Sequence, residues 1–220
     1  MHAALRAGGG KPLSTVLKPN LATELDPPLE SAAEQPVKAT DELRNEHEGI
    51  KLMLRILAAI GARAEQAQPV AGEDLDAVAE FLSVFADACH HGKEEAYLFP
   101  AMEAAGVPRE GGPIGIMLNE HSMGRALIAE LKEAMAAHKA GGATAGAHLA
   151  SLAHRYVELL TRHIEKENTV LFPMAEARLG SAVDDDLVEA FEALERDRIG
   201  PGKHEEFHAL LKRLEEEYLG

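Results

Sequence analysis

The sequence predicts an all-α protein: an up-down-up-down four-helix bundle with extra C-terminal helices. Three observations carry that expectation. Alanine, leucine and glutamate dominate a chain of 220 residues that is 46% hydrophobic, 4% aromatic and free of tryptophan, a composition that favours helices. Apolar residues recur at steps of three and four, and no segment alternates as a strand does. Short connections rich in glycine and proline join the periodic stretches, which sets neighbouring helices antiparallel.

Residues 1–39 carry Gly8-Gly9-Gly10, Pro12, Pro19, Pro27-Pro28 and Pro36 with no helical period, and are expected to form an extended or flexible arm. The bundle is expected over 40–180. Its first helix starts after Thr40-Asp41, either of which suits an N-cap. Leu43, His47, Ile50, Leu54 and Leu57 form its stripe, and Gly61 is expected to end it. The second runs from about Glu73 to the Pro100–Ala105 region, with Val78, Phe81, Leu82, Phe85, His90, Glu94 and Leu98 along it. Pro100 lacks a backbone donor and is expected to kink or end this helix. Gly111-Gly112-Pro113 opens the third, whose stripe is Met117, His121, Gly124, Ile128, Leu131 and Met135, and Gly141-Gly142 breaks it. The fourth runs from about Ala145 to Leu179, with Tyr156, Leu160, His163, Glu167 and Val170 on one face and Pro173 near its end. Residues 181–220 form a C-terminal extension of two shorter helices, about 184–198 and 203–218, parted by Gly200-Pro201-Gly202.

The formal charge of −15 repels nucleic acid and anionic membrane, so neither is an expected partner. One cysteine, Cys89, makes no internal disulfide, which suits a reducing compartment. No apolar run approaches the roughly 20 residues of a membrane helix. The N-terminus lacks the apolar core of a secretory signal, and the protein is expected to be cytoplasmic.

The most informative feature is an internal repeat. Asn45-Glu46-His47 returns as Asn119-Glu120-His121, at an offset of 74. His90-x-x-Lys93-Glu94-x-x-x-Leu98-Phe99-Pro100 returns as His163-x-x-Lys166-Glu167-x-x-x-Leu171-Phe172-Pro173, at an offset of 73. Each half thus offers one histidine on its first helix and a His/Glu pair, one turn apart on one face, on its second. A lone histidine on an apolar stripe is ordinarily a hydrogen-bonded core residue, and a lone His-x-x-x-Glu usually marks a solvated face. Joint repetition, in register with two apolar stripes, points instead to convergence on the bundle axis. Buried carboxylates cost several kcal/mol unless paired or metal-bound. Six polar groups converging on one apolar core, four imidazoles and two carboxylates, need a cation; two dications fit better than one, and imidazole with carboxylate suits iron. Zinc also suits these ligands.

This pattern, His…His-x-x-x-Glu twice over with Leu-Phe-Pro after each glutamate, resembles the hemerythrin-like (HHE cation-binding) family over about residues 41–180. The resemblance implies a non-haem di-iron centre bridged by carboxylates and by an oxo or hydroxo group. His47 and His90 would ligate one iron, His121 and His163 the other, and Glu94 and Glu167 would bridge them. The chain departs from oxygen-carrying members in two ways. Their third helix bears a second histidine one turn on, where this chain has Arg125; their fourth-helix carboxylate is an aspartate at wider spacing, here Glu167. Both departures resemble the iron–sulfur repair and stress-response branch.

His204, one turn from His208 on the last helix, is a candidate for the ligand that Arg125 does not supply; two exposed histidines on an amphipathic helix are the competing reading. His91 points about 100° away from His90 on a regular helix and is matched by Ile164, so it is set aside, as is Glu95, matched by Asn168. Glu46 and Glu120 either orient imidazoles or line a solvated face. Tyr156 and Tyr97 either line the pocket or pack. Cys89 reads as a packed thiol, and His138, His148 and His154 have no repeat partner.

The expected function is reaction with oxygen, hydrogen peroxide or nitric oxide in stress defence or sensing, with catalase-like turnover its most testable form. The alternative is a module that binds or carries oxygen or iron reversibly without turnover. A purely structural bundle would hold no stoichiometric metal.

Overall fold

The computed structural model describes residues 38–198, 200 and 202–220, all of whose regular structure is helical. The expected N-terminal arm lies outside the described residues except for its last two positions, which belong to the first helix. Helix α1 spans Lys38–Glu65. Helix α2, Gly72–Phe81, runs on through π-helical turns at Leu82–His91 and Glu94–Leu98 into α3, Phe99–Ala104. Helix α4 spans Pro113–Lys139. Helix α5, Ala145–Lys166, continues through a π-helical turn at Glu167–Leu171 into α6, Phe172–Glu176. Helices α7, Ser181–Arg198, and α8, Lys203–Tyr218, complete the chain.

Two expectations of helix endings resolve differently. Pro100 neither ends its helix nor stands inside a regular one. The preceding turn widens to the π form, and the proline enters at the start of α3, where a missing N–H is harmless. Pro173 repeats the device at the start of α6. Gly61 does not stop α1 either. A Cβ there would stand 3.2 Å from Ala150 Cα and 3.2 Å from Ala153 Cβ, so this glycine lets α5 lie close against α1.

The pairs α1/α5 and α4/α5 form the main packed faces of the bundle, with α2 against α4. The last two helices lie against α1. The α7 side chain Asp184 accepts the backbone N–H of Ala39 at 2.9 Å, a favourable place for a carboxylate at a helix N-terminus. At the far end Tyr218 Oη donates to Asp74 Oδ2 at 2.7 Å and Arg213 Nη1 to Oδ1 at 2.6 Å, tying α8 to the start of α2.

The apolar stripes pack into two clusters rather than one. One contains Met53, Leu57, Phe81, Leu131, Leu149 and Tyr156. The other contains Leu43, Leu98, Phe99, Met117, Leu171 and Phe172. Between them along the helices lies a buried layer of histidine and glutamate. Fully buried aliphatic and phenylalanine side chains of the two clusters contribute about 1.5–3 kcal/mol each, so the polar layer is held inside a strongly favoured core. Among the described residues no helix is long and apolar enough to cross a membrane.

Candidate metal centre

The six repeated polar residues meet in that layer. His47, His90, Glu94, His121, His163 and Glu167 are each at most 1% exposed. The Nε2 atoms of His47 and His90 face each other at 3.0 Å, and those of His121 and His163 at 3.1 Å. The two carboxylates lie between these imidazole pairs. Glu167 approaches His47 Nε2 at 3.2 Å through Oε2, and His163 Nε2 at 3.0 Å through Oε1. Glu94 approaches His121 Nε2 at 3.4 Å through Oε2, and His90 Nε2 at 3.9 Å through Oε1. Two overlapping groups result, His47/His90/Glu94/Glu167 and His121/His163/Glu94/Glu167, each with ligand atoms within 4.8 Å of one another. The shared members are the two glutamates.

The outward nitrogen of every imidazole is also engaged. His90 Nδ1–H donates to Glu46 Oε2 at 2.8 Å, and His163 Nδ1–H to Glu120 Oε2 at 3.0 Å. His121 Nδ1–H donates to Glu95 Oε1 at 2.7 Å, and His47 Nδ1–H to Asn168 Oδ1 at 3.0 Å. Ionised carboxylates only accept, which places a proton on Nδ1 and leaves a lone pair on the inward Nε2 of His90, His163 and His121 as neutral rings, and the Asn168 amide oxygen does the same for His47. Rings are clamped as well: Phe172 stacks on His47 with centroids 5.4 Å apart, and Phe99 on His121 at 5.8 Å. The repeated Leu-Phe-Pro triplets therefore both widen the helix and hold a histidine of the other half.

Such a layer fits a cation. Lone pairs facing across about 3 Å repel unless a proton or a metal ion sits between them. All four carboxylate oxygens of Glu94 and Glu167 are buried with no hydrogen-bond partner among the described residues; their approaches to the imidazoles are close but misdirected for hydrogen bonds. The facing nitrogens of each histidine pair, 3.0 and 3.1 Å apart, are close enough for one ion to take both at a bond length of about 2.1 Å. In the metal-free protein protons take this place. Burial opposes charge on the rings, yet the carboxylates raise His121 to about 11 and His163 to about 9. Glu167, though fully buried, is held well below the usual carboxylate range by His163, His121 and His47. A metal must displace these protons, and the site has the donor chemistry to let it do so.

The other candidates fall elsewhere. His204 is not brought to this layer: its ring packs 5.5 Å from Phe85 and 5.0 Å from His208. It lines a separate cleft of about 350 Å³ with Glu42, Glu195 and Phe207. The reason is topological, since α8 folds along the outer side of α1 and α2 rather than over a bundle end. Tyr97 faces α7, its ring 6.4 Å from Phe191. Tyr156 is fully buried, and its hydroxyl has no hydrogen-bond partner among the described residues. Cys89 is buried, and burial pushes its thiol up to about 12, which makes it inert at neutral pH. His148 and His154 are exposed, and among the described residues neither they nor His138 belong to a metal-capable group.

Sequence reasoning missed two features. Glu95 and Asn168, set aside as ligands, are the hydrogen-bond partners of His121 and His47; their equivalent places in the repeat were the available signal. His91, set aside on regular-helix geometry, is 2% exposed and stacks on His121 at 3.9 Å with an interplanar angle of 15°. It ends the π-helical stretch Leu82–His91, where the direction of successive side chains differs from that of an α-helix.

The family model described as Hemerythrin HHE cation binding domain matches residues 38–175. Curated relatives include one uncharacterized protein of Mycobacterium bovis and two of Mycobacterium tuberculosis, each 28% identical over 167 residues, 76% of this chain and 65% of the relative. The match thus spans just under two thirds of those proteins' length. No solved structure matches significantly.

Proposed function

The chain belongs to the hemerythrin HHE cation-binding family, and from that premise we propose that it holds a non-haem di-iron centre that reacts with oxygen, hydrogen peroxide or nitric oxide. The observation that carries this reading is the set of four buried carboxylate oxygens, without a hydrogen-bond partner among the described residues, between two facing imidazole pairs. His47 and His90 would hold one ion, His121 and His163 the other, and Glu94 and Glu167 would reach both. Bound iron would supply one-electron redox chemistry and a coordination position for a small ligand.

The chain's own residues set the conditions for that chemistry. Glu46, Glu120 and Glu95 accept the Nδ1 protons and raise the basicity of His90, His163 and His121, which strengthens them as donors. Phe99 and Phe172 fix ring orientation and close one side of the layer with apolar surface. Ligand residues at most 1% exposed exclude bulk water and large substrates, which favours diatomic molecules and peroxide. Iron content and the absorption spectrum of the isolated protein, before and after peroxide, test the proposal. Two iron per chain with bands that change on peroxide addition supports it; stoichiometric zinc or no metal refutes it. Oxygen release from peroxide, followed at an electrode, separates catalase-like turnover from reversible binding without turnover.

A further inference from the structure

The two halves of the repeat differ most where one of them builds a third imidazole. We propose that His91 is an additional metal ligand, completing a three-histidine position with His121 and His163; the proposal rests on the di-iron reading above. The ligand nitrogens of these three residues lie within 4.8 Å of one another. His91 Nε2 is buried without any hydrogen-bond partner among the described residues. Its ring stacks on His121 and meets His163 edge-on at 5.5 Å. An orphaned ring nitrogen beside two other imidazoles carries a lone pair that a metal ion would satisfy.

The surroundings of His91 form one connected device. Its Nδ1–H donates to Asp87 Oδ1 at 3.3 Å. Arg125 Nε donates to the same Asp87 oxygen at 2.8 Å, and Arg125 Nη2 to Glu95 Oε1 at 2.5 Å. Glu95 in turn orients His121. One guanidinium thus steadies the carboxylates behind two of the three imidazoles. At the offsets of the repeat, His91, Asp87, Glu95 and Arg125 correspond to Ile164, Leu160, Asn168 and Lys51. The other half therefore fills the equivalent places with apolar walls of Ile164 and Leu160, both 2% exposed, and has no third imidazole. Arg125 stands in the third-helix place where a histidine would otherwise reach the metal, and supports a ligand arriving from the second helix instead.

The test uses the full chain and cobalt(II) as probe. Wild-type protein is expected to bind two cobalt ions, with five hyperfine-shifted, exchangeable imidazole N–H resonances by proton NMR, one from each of His47, His90, His91, His121 and His163. His91→Ala and His91→Phe, the second keeping an aromatic ring on His121, are expected to weaken one cobalt site about tenfold or more and to change its ligand-field absorption. The other site is expected to stay within about twofold. Four resonances in the wild type, or variants with unchanged affinities and absorption, would overturn the assignment of His91 alone. Wild-type protein that takes up no cobalt would overturn the centre as well. The wild-type resonance count decides the matter even where a variant does not fold.

Discussion

Glu95 and Asn168 hold equivalent places in the two halves, yet one presents a carboxylate and the other an amide to the histidine it orients. Glu95 Oε1 lies 2.7 Å from His121 Nδ1, and Asn168 Oδ1 lies 3.0 Å from His47 Nδ1. A carboxylate draws the Nδ1 proton and makes Nε2 the stronger donor; an amide does so weakly. The two imidazole pairs are therefore inequivalent as donors. Glu95→Gln is expected to lower affinity at the His121/His163 position about 10–100-fold, the usual range for such partners, and to leave the His47/His90 position nearly unchanged. Competition titrations with a chromophoric chelator measure both steps. Equal weakening of both would refute the asymmetry.

Metal loading is expected to stabilise the fold. At a free metal concentration of about one hundred times Kd the gain is about 2.7 kcal/mol per site, which for a chain of this size raises Tm by roughly 5–10 °C. Glu167→Ala is expected to abolish most of that gain, because its carboxylate reaches both imidazole pairs. Calorimetric scans of metal-free and metal-loaded protein check this, and an undiminished gain in the variant would count against a bridging role.

Acid stability should carry the signature of Glu46. Burial pushes its carboxyl up, but the hydrogen bond and charge of His90 and the Lys93 ammonium outweigh burial and bring it from an ordinary 4.5 down to about 2. A group depressed in the native state contributes fully above its unfolded value. Its contribution, on the order of 3 kcal/mol, fades as pH falls from about 4.5 towards 2. Urea midpoints of metal-free protein across that window should fall steeply, and Glu46→Gln should flatten the slope by about one proton's worth.

Lys93 and Lys166 occupy the same place in the repeat with different surroundings. Lys93, between the two π-helical turns that follow α2, is fully buried and donates to Glu42 at 2.5 Å, Glu46 at 2.6 Å and Glu195 at 2.5 Å, joining its own helix to α1 and α7. Lys166 is 39% exposed and pairs with Glu120. Lys93→Met is expected to cost roughly 3 kcal/mol, since it strands the buried carboxylate of Glu46; Lys166→Met is expected to cost under about 1 kcal/mol. Chemical denaturation of both variants compares them directly, and equal losses would sink the distinction.

The helices and the six converging residues were legible because they obey periodic rules. Stripes at three and four gave the helix faces, and the repeat marked six polar positions that the structure gathers in one layer. What was illegible depends on departures from a regular helix. A period of 3.6 sends His91 away from the axis, and the π-helical stretch Leu82–His91 brings it back. Gly61 read as a stop because its local conformational freedom was visible and the approach of Ala150 was not. The place of His204 was illegible for a related reason. Its chemistry could be read from the chain, while the face of the bundle that α8 covers is set by long-range packing.

The clamping pattern crosses between the halves: Asn168 and Phe172 hold His47, while Glu95 and Phe99 hold His121. Severed at the α3–α4 connection, neither hairpin would retain both its ligands and the side chains that aim them. A metal ion would then be captured after the hairpins dock, as the last event of maturation rather than its trigger. A nascent or partly unfolded chain would offer loose histidines that bind adventitious metal weakly and release it to chelators, so the cell would load this protein only once it was finished.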